Sequence, residues 1–269
     1  MTTIPATAAH HVNNSLWHQI TTWFTTGSSW SGNDVTTGAL PALLRHVWIS
    51  AISLGIAIAI AIPLAFLLAR WRRGGLFVTS LANAARSIPI VGVMLLLAVG
   101  PIGIGLEPAI IALVIFAIPP LLTNTYIGVR EVDPDVVEAA RGMGLSGWAV
   151  LTRVELPLAV PLIAAGVRTA AVQVVATATL AALVGGGGLG VIINTGFGQQ
   201  DPGQIVAGGL LVAALALVTE IVLALVQRQV TPGRSRGRRA VGGLDATPLE
   251  EVGAGGAEPD KDRGSVAVS

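Results

Sequence analysis

Five long apolar stretches, separated by short polar or glycine- and proline-rich segments, dominate the chain. They cover residues 44–68, 76–100, 109–129, 158–183 and 205–226. Each is about as long as the roughly 20 residues that an α-helix needs to cross a bilayer. Arg86 and Pro89 interrupt the second stretch. The pattern predicts an all-α polytopic membrane protein with about five membrane-spanning helices, and it leaves open an additional half-span within residues 185–208.

The polar first 40 residues contain one amphipathic element. Its bulky residues recur at offsets that place them on one helical face, and they are Leu16, Trp17, Ile20, Trp23 and Phe24. Tryptophan and phenylalanine favour the headgroup boundary of a bilayer. We therefore interpret residues 1–40 as an extracytoplasmic segment with a short interfacial helix, or one that packs on the protein's own loops. The segment lacks the basic start and apolar core of a signal peptide, so no cleavage is expected.

Composition supports the membrane assignment. The chain is 52% hydrophobic and 12% charged, whereas soluble domains carry about 25% charged residues. Its net charge of +1 gives no reason to expect a nucleic acid partner. Cysteine is absent, and the four histidines all lie at or before His46. We therefore predict no metal site, no bound cofactor and no catalytic residue, and no histidine base inside the membrane region.

The arginines indicate an orientation. They concentrate in residues 70–75, in residues 130–157 and after residue 226, which are alternate connections between the apolar stretches. Cytoplasmic loops carry the excess of basic residues, so we expect a multi-pass protein of the cell membrane with its N-terminus outside and its C-terminus in the cytoplasm. Residues 41–230 form the predicted membrane domain. Residues 231–269 lack apolar periodicity and are interpreted as a disordered cytoplasmic tail, whose basic run either contacts anionic lipid or only sets the topology.

The segment over residues 130–157 begins with signals for a short helix. Asp133 is a good N-cap, and Pro134 suits the first helical position. Gly142 or Gly144 supplies the conformational freedom that ends this helix.

Signals for a second short helix follow directly. Ser146 is its expected cap, and Leu145 and Val150 are placed as a hydrophobic staple. Pro157 is expected to end it and to redirect the chain into the fourth span. Two short helices held between two spans form a lever that can pass motion from a soluble partner into the membrane.

This segment contains a longer motif, Glu-Ala-Ala-x3-Gly-x9-(Ile/Val)-x-Leu-Pro. Every specified position is filled, by Glu138, Ala139, Ala140, Gly144, Val154, Leu156 and Pro157. The motif resembles the EAA loop of binding-protein-dependent ABC importer permeases. The alternative is an amphipathic loop of some other transporter.

The resemblance implies a type I, methionine-importer-like permease fold of about five transmembrane helices. It implies that Glu138, Ala139, Ala140, Gly144, Leu156 and Pro157 belong to the contact that couples the permease to an ATPase subunit. It also implies a second permease subunit, identical or homologous, and an extracytoplasmic substrate-binding protein. ATP and Mg²⁺ would be used by the ATPase subunit, so this chain would be a transport subunit and not an enzyme.

Several further segments are similar to the glycine betaine/carnitine/choline branch of these permeases. They are 124–126, 132–134, 142–144, 154–157, 166–170 and 177–180. Residues 86–89 and the glycine run at 185–190 also resemble methionine-importer permeases. The expected cargo is therefore an osmoprotectant such as glycine betaine, choline, carnitine or a proline-like compound. The alternatives are a permease for methionine or another amino acid and, in another class, an ion-coupled secondary transporter.

Charged and polar residues inside apolar stretches are candidates for the translocation pathway or its gate. They are Arg86, Ser87, Pro89, Asn124 and Arg168. For Arg168 a structural pair with Glu220 is the alternative. A quaternary ammonium ligand would be expected in an aromatic cage, but the chain has one tyrosine and few aromatic residues in its spans. Tight recognition is therefore expected in the separate binding protein.

Overall fold

The structure, a computed structural model, describes residues 6–32, 38–70 and 74–231, without the side chains of residues 6–15, 79 and 86. The regular elements in these ranges are helices, which confirms the predicted all-α class. In chain order they are α1 (Ala6–Thr25), α2 (Gly27–Trp30), α3 (Ala39–Ala69), α4 (Gly74–Ser87), α5 (Ile90–Val99), α6 (Leu106–Arg130), α7 (Pro134–Gly142), α8 (Gly147–Val150), a π-helical segment (Leu151–Glu155), α9 (Leu156–Thr177), a 3₁₀ segment (Ala178–Val184), α10 (Gly190–Gln199) and α11 (Pro202–Val230).

Four helices are long and apolar enough to cross a membrane: α3, α6, the continuous helix Gly147–Val184 and α11. The fifth predicted span is a bent pair, since α4 and α5 meet at an angle of 76°. Pro89 precedes α5 with extended backbone angles, φ −70° and ψ 114°. A proline has no N–H to continue the helix of α4, and it also disfavours helical geometry in the residue before it.

The prediction that Pro157 ends a helix is wrong. The chain passes without a break from α8 through the π-helical segment into α9, and Pro157 lies in the first turn of α9. The Leu156 N–H reaches back five residues to the carbonyl of Leu151. Pro157 has no N–H to donate to the preceding turn. The helix continues nevertheless, because the turn before Pro157 is wider and Pro157 lies at the start of α9.

The open question about residues 185–208 is answered by a short helix. The 3₁₀ segment ends at Gly185, whose φ of 81° is left-handed, and the glycine run leads into the 10-residue helix α10. A Cβ on Gly190 would overlap the carbonyl of Thr179. The glycine therefore allows α10 to fold back against the 3₁₀ segment.

The main apolar core lies between α3, α6 and α9. Ala57, Ala61 and Ala65 occur every fourth residue of α3 and are fully buried. They pack in one cluster with Leu113 and Leu121 of α6. Small residues at this spacing allow membrane helices to approach closely, so α3 and α6 form a tight central pair.

The N-terminal helix is longer than the predicted short element and packs on the protein. Trp23 of α1 contacts a second cluster formed by Ala39, Ala42, Leu189 and Ile192. Trp17, on the same helix, has 68% of its surface exposed. The interfacial position of α1 stays a prediction. Two predicted features lie outside the described residues. They are the basic pair Arg72 and Arg73, and the tail from residue 232 onward, which is predicted to be disordered.

Candidate functional site

The segment that carries the motif folds as a capped helical hairpin between α6 and α9. Asp133 caps α7 by accepting a hydrogen bond from the Asp135 N–H at 2.9 Å, and Pro134 occupies the first turn. Ser146 caps α8 by accepting from the Ala149 N–H at 3.3 Å. Both predicted N-caps are confirmed.

Gly144, rather than Gly142, ends α7. Its φ is 86°, a left-handed conformation that favours glycine. The Leu145 N–H donates to the Ala140 carbonyl at 3.2 Å, and the Gly144 N–H donates to the Arg141 carbonyl at 2.9 Å. These two bonds form a Schellman motif, the standard glycine-dependent helix end. The glycine of the sequence motif therefore sets the sharp turn between α7 and α8.

The outer surface of this hairpin presents apolar side chains to solvent. Met143 is 76% exposed, Trp148 is 73% exposed and Val136 is 44% exposed. Glu138 and Ala139 are also exposed, whereas Ala140 is buried at 3%. Of Val136, Ala139, Ala140 and Met143, only Ala140 therefore packs into the protein. The other three belong to an exposed surface of apolar and small side chains.

Behind α7, toward the ends of α3 and α6, lies an open cavity of about 760 Å³. Glu138, Arg130 and Arg141 line it, together with an ion pair between Arg70 and Glu155. In that pair Arg70 Nη2 lies 2.8 Å from Glu155 Oε2, and the Glu155 side chain is only 9% exposed. The ion pair joins the end of α3 to the π-helical segment, and so fixes the hairpin to the first span.

Leu156 and Pro157 lie apart from the exposed hairpin surface. They form the first turn of α9, directly after the π-helical segment. Leu156 is half-buried and Pro157 is exposed. Of the six residues predicted to contact an ATPase subunit, the structure therefore places four on or beside α7 and two at the base of the next span.

The candidate pathway residues do not form one cluster. Ser87 ends α4, Pro89 precedes α5, and both are exposed at the bend between these helices. Arg86 lies on α4, and its side chain is outside the described part of the chain. Asn124 lies on α6, where its Nδ2 donates to the Pro120 carbonyl at 2.8 Å.

Arg168 pairs with Glu220. The Arg168 Nε lies 3.4 Å from the Glu220 Oε1, and the side chains are 35% and 42% exposed. The contact ties α9 to α11, as the structural alternative expects. Both side chains are partly exposed. Besides joining the two helices, the pair therefore leaves charge on this face of the membrane domain.

The first predicted span, residues 44–68, contains one histidine. It is His46, which is fully buried in α3, and the absence of a histidine base from the membrane region stays a prediction. Its Nδ1 accepts a hydrogen bond from the Leu189 N–H at 3.2 Å, and its Nε2 lies 2.8 Å from the Val175 carbonyl. The first bond requires an unprotonated Nδ1, so Nε2 carries the proton and donates to Val175.

The glycine run packs against this end of α3. A Cβ on Gly188 would lie 3.2 Å from His46 Nδ1. Arg45 Nε donates to the Gly186 carbonyl at 3.3 Å. The run therefore forms a fixed connection here, held by α3 side chains, and its glycines permit the close approach.

Comparisons with known proteins agree with this geometry. Residues 54–232 match the family model described as binding-protein-dependent transport system inner membrane component. This chain belongs to that family. Its members are membrane components of transport systems and not enzymes. Membership implies a multi-pass membrane protein that works with a binding protein and, as in ABC importers generally, with an ATPase subunit.

Three relatives cover most of the chain. The glycine betaine/carnitine/choline transport system permease protein OpuCB of Bacillus subtilis is 36% identical over 73% of this chain and 90% of its own length. The carnitine transport permease protein OpuCB of Listeria monocytogenes is 38% identical over 74% and 90%. The osmoprotectant import permease protein OsmW of Salmonella typhimurium is 34% identical over 70% and 89%.

Solved structures confirm the predicted fold. The inward-facing MetNI methionine ABC transporter is similar with a TM-score of 0.63 and 22% identity, over 72% of this chain and 96% of that one. An amino acid ABC transporter determined with histidines matches with a TM-score of 0.55 and 15% identity, over 85% and 100%. The fold is that of the type I ABC importer permeases, and at these identities the likeness concerns the fold alone.

Proposed function

We propose that this chain is the membrane-spanning permease subunit of an ABC importer for osmoprotectants such as glycine betaine, choline or carnitine. Two copies, or one copy and a homologous permease, would assemble with two ATPase subunits. An extracytoplasmic binding protein would deliver the substrate. The N-terminus would lie outside the cell and the C-terminus in the cytoplasm.

The observation that carries the coupling role is the exposed surface of the α7–α8 hairpin. Met143 and Trp148 are large apolar side chains that water surrounds in the isolated chain. An exposed apolar patch rimmed by polar residues is typical of a protein-binding site. The hairpin is rigidly capped at both of its helices and joined to α3 by the Arg70–Glu155 ion pair. Closure of the docked ATPase subunits would therefore move the spans together with the hairpin.

The substrate class is supported by the relatives, whose names concern glycine betaine, carnitine, choline and osmoprotectants. The methionine alternative has support from two short segments, 86–89 and 185–190, and from a fold shared at 22% identity. An ion-coupled secondary transporter has no use for an exposed docking hairpin. Glu138, Ala139, Ala140 and Gly144 would form the ATPase contact, with Leu156 and Pro157 at its base.

The pathway assignments are part of this proposal. Ser87 and Pro89 at the α4–α5 bend, Asn124 on α6 and Arg168 on α9 would border the passage or its gate, together with Arg86. Polar and charged groups in membrane helices usually face a bundle interior or an aqueous cavity. The partial exposure of the Arg168–Glu220 pair fits a position beside such a passage.

The proposal is tested by uptake of labelled glycine betaine in cells that lack their own betaine importers. The cells carry the permease with the ATPase and binding protein encoded beside it, and excess methionine is the competitor. We expect uptake that methionine does not inhibit. A Gly144→Trp variant should abolish it, because φ at this position is left-handed and the bulky ring covers the docking surface.

The control is Gly198→Trp, which adds the same ring on α10 where a Cβ meets nothing within 4 Å. This variant should still co-purify with the ATPase subunit, whereas Gly144→Trp should not. A complex that moves no betaine, choline or carnitine would refute the substrate class. Normal uptake by Gly144→Trp would refute the coupling role of the hairpin.

A further inference from the structure

A small polar cavity lies within the membrane domain, between α4, α6 and α9. Its volume is about 130 Å³, well above the 10–15 Å³ or so that one water molecule needs. The lining residues with a polar or aromatic side chain, or a proline carbonyl, are Phe116, Pro120, Thr123, Asn124, Thr169 and Gln173. We call it the α4–α6–α9 cavity.

Several hydrogen-bonding groups around this cavity have free capacity. The Thr123 hydroxyl is buried without a hydrogen-bond partner in the described part of the chain. The Gln173 side-chain amide is exposed and makes no hydrogen bond to another described residue. Asn124 uses its Nδ2 to reach the Pro120 carbonyl, which leaves its Oδ1 available. Native proteins rarely leave such groups unpaired, and hydrocarbon offers them no partner.

A proline of α6 adds an acceptor at the same place. Pro120 has no N–H, so the carbonyl of Phe116 loses the donor that an α-helix would supply four residues later. Phe116 and both prolines line the cavity. Among the side chains that the structure describes, the wall therefore combines a helix carbonyl, amides and hydroxyls with one aromatic ring and no ionised group.

This combination suits a small zwitterion that carries a quaternary ammonium group. The face of an aromatic ring and carbonyl oxygens attract such a cation weakly. The amide N–H groups of Gln173 and the unpaired hydroxyl of Thr123 can donate to a carboxylate. The Thr169 hydroxyl can do so by turning away from the Ala165 carbonyl, to which it donates at 3.0 Å. With one ring and no charged side chain among the described lining residues, the contacts favour passage over tight capture.

We propose that the α4–α6–α9 cavity is a contact site for quaternary ammonium zwitterions during their passage, with Phe116 facing the cation and Gln173 and Thr169 facing the carboxylate. The proposal rests on the proposed function and adds residues that its pathway does not name. It places substrate selectivity in the permease as well as in the binding protein. It also distinguishes glycine betaine from choline, which has the same cation and no carboxylate.

The test measures the maximal rates of glycine betaine and choline uptake by proteoliposomes that contain the permease with its ATPase and binding protein. For Gln173→Leu we expect the betaine rate to fall by about fivefold, the factor that corresponds to the net worth of one hydrogen bond. The choline rate should change much less. Phe116→Leu should lower both rates, because both substrates carry the cation.

A matched pair of variants controls for the loss of a hydroxyl in a membrane helix. Thr169 and Thr219 each donate to the carbonyl four residues earlier, at 3.0 and 2.8 Å. Only Thr169 lines the cavity. Thr169→Val should therefore lower the ratio of betaine to choline uptake, and Thr219→Val should leave the ratio unchanged.

If the variants above assemble poorly, a labelling experiment tests the cavity assignment independently. The chain has no cysteine, so Gln173→Cys and Thr219→Cys are the single thiols when the partner subunits are made cysteine-free. A thiosulfonate reagent with a trimethylammonium group should modify Gln173→Cys, and glycine betaine should slow this reaction. The rate at Thr219→Cys should not respond to betaine.

The outcomes separate the two proposals. If the unmodified complex moves neither betaine nor choline, the proposed function and the cavity assignment both fall. If it moves them, but Gln173→Leu and Thr169→Val keep the unmodified ratio and betaine gives no protection, the cavity assignment is overturned and the importer function stands. A lowered ratio together with protection supports the contact site.

Discussion

At the scale of single residues, His46 joins three parts of the chain that are far apart in sequence. Its ring lies in α3, accepts from the Leu189 N–H and donates to the Val175 carbonyl. Both partners are backbone groups in a region without access to water. The sequence places His46 near the start of the first apolar stretch and does not reveal its contacts, because its partners lie 129 and 143 residues away and no local pattern connects them.

Replacing His46 should destabilise the permease. His46→Leu leaves the Val175 carbonyl and the Leu189 N–H buried without partners, at about 1–3 kcal/mol for each unsatisfied group. We expect the Tm of the purified protein in detergent to fall by several degrees and His46→Gln, which retains a donor and an acceptor, to recover part of the loss. His18→Leu is the control, since His18 is exposed on α1. Equal Tm values for His46→Leu and His18→Leu would contradict the role.

At the scale of elements, local chemistry made the α7–α8 hairpin predictable. Asp133, Ser146 and the glycine at 144 act through hydrogen bonds to residues within five positions, and the structure confirms each cap. The π-helical segment was not predicted, and its buried Glu155 has its partner 85 residues away, where no local pattern indicates it. The expectation that Pro157 ends a helix was wrong because it assumed regular α-helical geometry, in which an interior proline causes strain. The wider π turn before Pro157 avoids that strain.

The Arg70–Glu155 pair should matter more for coupling than any other ion pair of the hairpin. Arg70→Ala leaves the 9%-exposed Glu155 carboxylate without its partner, and removing one member of a buried pair costs up to about 3–5 kcal/mol, less here because Arg70 is itself 43% exposed. We expect a lower Tm and fewer substrate molecules moved per ATP hydrolysed in proteoliposomes. Adding Glu155→Gln should restore both in part, since it removes the uncompensated charge.

Arg153→Ala provides the comparison for this pair. Arg153 is exposed in the same π-helical segment and forms no ion pair with another described residue. Its removal should leave the Tm and the transport stoichiometry unchanged. If Arg153→Ala and Arg70→Ala behave alike, the effect belongs to the general charge of the segment and the specific tie to α3 is refuted.

At the scale of the whole molecule, the hydrophobic pattern predicted four spans and their order, because each of these apolar stretches is long enough to cross a bilayer alone. It could not predict their packing. The close approach of α3 and α6 depends on alanines that repeat every four residues, and the charged pair between α9 and α11 depends on the relative rotation of two helices. The same pattern also leaves one topological question, which concerns the bent pair α4–α5.

Single cysteines decide whether α4–α5 crosses the membrane. Between Ser28 and Asp135 lie α3, the bent pair and α6. If the pair crosses, there are three passages and the two residues lie on opposite sides. If it re-enters, there are two passages and they share a side. We expect a membrane-impermeant thiol reagent to label Ser28→Cys in intact cells and Asp135→Cys only after lysis. Gln199→Cys calibrates the assay, because one span separates Gln199 from Asp135 in either topology. Labelling of Ser28→Cys and Asp135→Cys from the same side would refute the five-span arrangement.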